Sequence, residues 1–152
     1  MTGLLWVLLA LIVILLLKIL FRKDEILILH GKGVCDFEVV GESHYQKNLK
    51  RIVGGYSKKG VDYSCIAELS LDDYNKYDSN AVSVEIDHLL VGYLSRSNAK
   101  KYRRMLNKIG KKKVVGKCYA TIRGGWKTGA SKGSFGVFLD FNFKETEKKY
   151  IN

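Results

Sequence analysis

The sequence predicts an α+β domain, a small and partly open β-barrel with two helices, preceded by one N-terminal transmembrane helix. Three observations lead there. The first ~20 residues are almost wholly apolar, about the length that spans a bilayer. The remaining ~130 residues are the usual size of one domain with one core, and no repeat or low-complexity linker divides them. Within that remainder, five or six short runs have strand-like alternation, and one longer run has helical spacing. The chain divides into an anchor with a basic flank (1–23), a connector (24–36), the main domain (37–143) and a charged C-terminal tail (144–152).

Leu4 to Leu17 carries no charge. With its neighbours it makes about twenty residues, ~30 Å of helix, which matches the hydrocarbon thickness of a bilayer. Trp6 suits an interface, and Lys18 can snorkel to headgroups. A secretory signal peptide needs basic residues before the run and a small-residue cleavage site after it. Here Lys18, Arg22 and Lys23 follow the run and no Ala-x-Ala occurs. A buried core helix fits poorly with a terminal segment that is apolar on every face. The expectation is therefore an uncleaved single-pass membrane protein, with the basic flank and the domain on the cytoplasmic side.

After a short apolar run at Glu25 to Leu29, His30 to Gly33 reads as a turn and Val34 to Val40 as a strand. Lys47 to Val53 reads as a short helix ended by Gly54 and Gly55. Ser64 to Leu69 is a strand. Val82 to Ile86 and Leu89 to Leu94 form a hairpin about Asp87 and His88. Ser95 or Ser97 caps a helix whose Ala99, Tyr102, Leu106 and Ile109 share one face, with Gly110 as its stop. Val114 to Arg123 is a strand, "GGWKTGASKGS" a flexible, glycine-rich hairpin loop, and Phe135 to Phe143 the last strand. Proline is absent, so the turns rest on the 15 glycines and on Asn, Asp and Ser. A sheet of this size avoids free edges by curling, which suggests an SH3-like or OB-like barrel with helices at one end.

The formal net charge is +11; Lys18, Arg22 and Lys23 supply three of these charges, leaving +8 on the rest. Such a density favours an anionic partner, nucleic acid or an anionic lipid surface. Cys35, Cys65 and Cys118 are odd in number, sit in apolar strand-like contexts and fit buried hydrophobes in a reducing compartment. No cofactor is expected. "WKTG" resembles the end of a P-loop, but Trp126 breaks the glycine pattern and no strand–loop–helix context surrounds it. His30, His44 and His88 have no metal-ligand spacing, and no nucleophile–base set assembles. The chain is expected to be no enzyme. Aromatic residues beside loops, among them Tyr45, Tyr56, Tyr63, Tyr74, Tyr77, Trp126 and Phe135, lie among many lysines and arginines. That mixture suits single-stranded nucleic acid, with bases stacking on rings and cations following phosphates. The plainer alternative is that these rings close the ends of the barrel.

The ordered blocks "VVGESHYQKNLKRIVGG", "YNKYDSNAVSVEI", "VGYLSR" with "NAKKYRRML", and "GGWKTGASKGSFGVFLDF" resemble the successive motifs of the HIRAN domain family, over about Phe37 to Phe143. Members occur fused to helicase-like enzymes of DNA repair and as stand-alone bacterial proteins. The resemblance implies an OB/SH3-like barrel that captures the 3′ end of single-stranded DNA. Position by position it implies that Asp78 accepts a hydrogen bond from the terminal 3′-hydroxyl, with Tyr77 beside it. It also implies that Arg96 contacts the backbone and Phe135 lies near the end nucleotides. The family's Arg-Tyr pair corresponds here to Ser43 and His44, with Tyr45 able to compensate, and Lys76 stands where the family often has proline. The basic face of the long helix adds Lys100, Arg103 and Arg104 as candidate nucleic-acid contacts. The alternative reading is a lipid- or protein-interaction module at the cytoplasmic face.

Overall fold

The computed structural model describes residues 2–20 and 25–151. The expected membrane span is corrected: among the described residues no helix is long and apolar enough to cross a membrane. The N-terminal helix α1, Thr2–Leu20, has 19 residues. The single-pass topology, the cytoplasmic placement and the membrane as a partner through this helix fall with the span. The basic flank at Arg22 and Lys23 lies outside the described residues, as does the side chain of Lys18.

The barrel half of the expectation holds, since the sheet with its helices fits an OB-like α+β fold. The strands are β1 (Glu25–Ile28), β2 (Phe37–Glu38), β3 (Val61–Leu71), β4 (Val82–Ile86), β5 (Leu89–Tyr93), β6 (Val114–Gly124), β7 (Lys127–Thr128), β8 (Ser131–Lys132) and β9 (Phe135–Asp140). The main sheet runs β2-β9-β6-β3-β4-β5, and β1 adds to β6 in parallel. Alternation dictates the inner face: Ala67 and Leu69 of β3, Val82, Val84 and Ile86 of β4, and Val137 and Leu139 of β9 are all buried. Helix α2 (Gln46–Val53) adds Leu49, and α3 (Arg96–Lys108) adds Ala99, Tyr102, Met105 and Leu106 to the same core.

Two ends of this sheet meet. Val40 and Tyr93 exchange a pair of backbone hydrogen bonds, each 2.9 Å, which ties the segment after β2 to the end of β5. A register shift in the β4–β5 hairpin lies next to this point and bends β5 toward it. Gly92 makes the approach feasible: a Cβ there would stand 2.5 Å from Val39 Cγ1 and 2.7 Å from the Val40 carbonyl oxygen. The hairpin itself turns on Asp87 and His88, with φ of 50° and 60°, the left-handed pair that suits a two-residue turn.

Several boundaries differ from the sequence reading, each for a visible reason. The expected strand Val34–Val40 shrinks to Phe37–Glu38, because Asp36 N donates to Val34 O and turns the chain first. The last strand ends at Asp140, since Asn142 Oδ1 accepts from Lys144 N at 2.9 Å and starts helix α4 (Phe143–Ile151). The residues read as a charged tail therefore form a docked helix. Thr146 is fully buried and accepts from His30 N, and the Tyr150 hydroxyl exchanges hydrogen bonds with the Ile28 backbone. The glycine-rich loop carries the small β7–β8 hairpin, with Gly133 packed beneath the Trp126 indole.

Gly92→Ala should destabilise the protein by ~2–4 kcal/mol in denaturant titration, because the methyl meets backbone as well as a side chain. Gly110→Ala, at a positive φ with nothing within 4 Å of its Cβ position, should cost only ~1 kcal/mol. Equal costs would remove the steric account of closure. Tyr102 sets a second test, since its buried hydroxyl has no hydrogen-bond partner among the described residues. Tyr102→Phe should leave stability unchanged or raise it by ~1 kcal/mol, and a clear loss would show that the hydroxyl is satisfied.

Candidate nucleic-acid interface

The ten residues 72–81 between β3 and β4 are held by their own polar side chains. Asn75 Nδ2 donates to Asp72 Oδ2 at 2.9 Å, and Asn75 Oδ1 accepts from the amides of Tyr77 and Asp78 at 3.0 and 3.2 Å. Asp78 Oδ1 accepts from Asn80 N at 2.8 Å, while Asp78 O accepts from Ala81 N at 2.9 Å. Asn75 thus holds the turn with its side chain as its residue type suggests, whereas Asn80 contributes backbone.

A third support comes from outside the loop. Arg103, on α3, donates Nε to Asn80 O at 2.8 Å, Nη2 to Ala81 O at 2.9 Å and Nη1 to Asp73 Oδ1 at 2.8 Å. Its side chain is only 18% exposed. A planar guanidinium spreads its donors over three nitrogens and so meets three separated acceptors, whereas a lysine would gather its donors on one nitrogen. Arg103, a candidate phosphate contact by sequence, is in this geometry the strap of the turn.

What the turn presents is a carboxylate with divided duties. One Asp78 oxygen caps the backbone; the other, Oδ2, faces Arg96 Nε at 4.0 Å. The Asp78 side chain keeps 18% of its surface exposed and that of Arg96 79%. Tyr77 and Tyr74 stand almost wholly in solvent, at 88% and 96% exposure. Core packing gives no reason for either ring to be aromatic.

The Ser43–Tyr45 stretch approaches from the other side. Ser43 and His44 are exposed on a short 3₁₀ turn after Gly41, and Tyr45 is half-buried. Gln46 fixes this turn to β9: its Nε2 donates to Glu42 O and Phe135 O, and its Oε1 accepts from Phe135 N at 2.8 Å. The Tyr45 ring lies 6.4 Å from both His44 and Tyr93. The Tyr93 phenol is pushed up to about 12, first by burial and then by Tyr45 and Asp72 beside it. Tyr93 thus joins the two loops, a role the sequence reading missed although it quoted the residue within "VGYL". The available signal was its position immediately after the glycine that closes the barrel.

Three sequence candidates fall elsewhere. Phe135 is 2% exposed, with its ring 5.0 Å from Tyr56 and packed on Gly125. It offers no open face to a nucleotide, because strand alternation places it inward with Val137 and Leu139. Lys100 and Arg104 are exposed on α3, about one and two turns beyond Arg96. Among the described residues no group of His, Cys, Asp and Glu is arranged to hold a metal ion.

The family model of the HIRAN domain matches residues 32–124, from the turn before β2 to the end of β6. The chain belongs to the HIRAN domain family. HIRAN domains are in general nucleic-acid-binding modules. The chain is also similar to the solved HIRAN domain of human HLTF, at 19% identity and a TM-score of 0.38, over 75% of this chain and 79% of that one. No curated protein matches the chain. The HIRAN match contains the Asp78 turn, Tyr93 and α3, but β9, with Phe135, and α4 lie beyond it.

The Tyr93 environment carries a pH prediction. Its folded-state value lies above the usual tyrosine value of 10, so the neutral phenol is favoured on folding. Stability from this residue is complete below pH ~10 and lost as pH rises toward ~12. Cys65 and Cys118, pushed by burial to about 11 and about 12, add to the same alkaline loss from pH ~9. Stability followed between pH 9 and 12 should fall, and Tyr93→Phe should flatten the part above pH 10. An unchanged slope in the variant would show that Tyr93 titrates normally.

Proposed function

We propose that this HIRAN domain binds single-stranded DNA and captures its 3′-hydroxyl end at Asp78. The observation that carries the reading is Asp78 Oδ2, which accepts no hydrogen bond among the described residues and meets Arg96 Nε at 4.0 Å, on a turn held from three sides next to a nearly bare Tyr77 ring. A terminal sugar hydroxyl donates a hydrogen bond, which the carboxylate can accept. A chain-internal phosphodiester has no such proton and brings a negative charge toward the carboxylate. Tyr77 gives the end base or sugar a flat surface. Arg96, 4.0 Å from Asp78, holds the adjoining phosphate and offsets the charge of the carboxylate. Ser43 and His44 offer hydroxyl and imidazole contacts where the family pattern has an arginine and a tyrosine, and Tyr45 backs them. Binding is the whole activity of the chain in this reading, with no catalytic step.

The test is a titration of the full chain against single strands that end in a 3′-hydroxyl, end in a 3′-phosphate, or are circular. The 3′-hydroxyl strand should bind about tenfold more tightly than the other two, the worth of one charge-assisted hydrogen bond. Asp78→Ala should erase that preference, and Arg96→Glu should weaken all three strands. Equal affinity of the unmutated protein for open and blocked ends would refute end capture.

A further inference from the structure

The helix that carries Arg96 does not stop being basic where the Asp78 turn ends. Arg96, Lys100, Arg104 and Lys108 follow one another at four-residue spacing along α3. Residues four apart are neighbours on a helix surface and drift slowly around it. Arg96 and Arg104 are therefore ~12 Å apart along the axis, the reach of about four stacked nucleotides at ~3.4 Å each.

The row leads into a hollow of about 660 Å³ between α3 and α4. Five cationic side chains line it: Lys101, Arg104 and Lys108 from α3, Lys144 from α4, and Lys32 from the turn before β2. Two acids also line it, and both are engaged, Glu147 by one of the five cations, which leaves four. Glu147 pairs with Lys108 at 3.1 Å, and Glu145 faces Lys148 at 3.7 Å. The lysines at its rim are exposed on fixed backbone. Lys32 N is held by Asp140 Oδ1 at 3.0 Å, and Lys144 N by the Asn142 cap at 2.9 Å. One wall of the hollow, α4, lies beyond the residues that the HIRAN model matches.

We propose that this cleft is a second binding site, for the phosphates of the same DNA strand several nucleotides behind its 3′ end. The inference rests on end capture at Asp78 for its direction: the strand starts at the Asp78 turn, follows the cationic row of α3 and enters the α3–α4 cleft. Its chemistry is charge only. Lysines on flexible stems neutralise phosphates without reading bases, so the cleft adds affinity and footprint but no sequence preference.

The test compares the full chain with the double variant Lys32→Glu/Lys144→Glu, two exposed rim positions away from Asp78 and Arg96. The probes are oligothymidylates with 3′-hydroxyl ends, about 4 and about 12 nucleotides long, at two salt concentrations. The unmutated protein should bind the longer strand at least tenfold more tightly, with a steeper salt dependence. The double variant should lose that gain, and its log–log salt slope on the longer strand should become shallower by about 1.4, the release expected for two single-strand phosphate contacts. Its affinity for the short strand and its preference for a 3′-hydroxyl over a 3′-phosphate should stay the same. Lys32→Gln/Lys144→Gln should show the same pattern more weakly. Equal binding of the two lengths by the unmutated protein overturns the cleft, and so does a double variant that keeps the full length gain. Loss of the end preference in the unmutated protein, with the length gain intact, overturns end capture and leaves the cleft standing.

Discussion

The barrel and the loops at its mouth depend on one close approach, the main chain at Gly92 against Val39 and Val40. No residue with a β-carbon fits between them without displacing backbone. Once the strands touch, Val40 and Tyr93 exchange hydrogen bonds and the curled sheet is held at its open side. The phenol of Tyr93 then emerges among Tyr45 and Asp72, where the Ser43–Tyr45 turn and the 72–81 turn come together. A missing side chain at one position and a large one at the next are thus parts of a single device: one closes the barrel and the other joins the loops at its mouth.

The Asp78 turn shows how a short polar loop stays ordered without proline. Lys76 takes the place where the family often has a rigid ring, and the order comes from hydrogen bonds instead. Asn75 supplies two bonds to amides, Asp78 supplies one, and Arg103 clamps the closing carbonyls from below. Two arginines two turns apart on one helix therefore differ in kind. Arg103 spends its donors on the protein and is mostly covered, whereas Arg96 is mostly exposed and touches only the edge of Asp78. The charge on the helix face was readable from sequence; which charge was already occupied depended on a loop some twenty residues away.

What the sequence disclosed is what local pattern controls. Alternation gave β4, β5 and the inner face of the sheet, and the three- and four-residue spacing with Gly110 gave α3. The motif blocks carried the family. Long-range placement was not legible. The short run at Glu25 to Ile28 becomes a strand only because β6 offers a parallel edge. The residues after Phe143 look like a solvated tail because their charges hide Thr146, which is buried and seats the helix together with Tyr150. Phe135 was read from its neighbouring loop rather than from its alternation with Val137 and Leu139, which places it in the core. At the N-terminus, a count of apolar residues suggested a span that the described helix does not supply.

The charge along α3 is best understood against what the helix itself would prefer. A helix N-terminus carries a partial positive charge and favours acids in its first turn, each worth ~0.3–1 kcal/mol. Here the first turn has no acid and begins with Arg96, with Lys100 and Lys101 close behind. Ser95 satisfies one amide, at 3.4 Å to Asn98 N, and nothing on the helix itself balances the rest. The nearest counter-charge is Asp78, across the gap at 4.0 Å from Arg96. Locally this arrangement opposes stability, and burial of Ala99, Tyr102, Met105 and Leu106 on the other face holds the helix in place despite it. A field of cations placed at the positive end of a dipole is relieved when an anion arrives. In the proposed reading the same feature that weakens the helix without ligand would strengthen its hold on a phosphate, which favours α3 over the cationic surface at large.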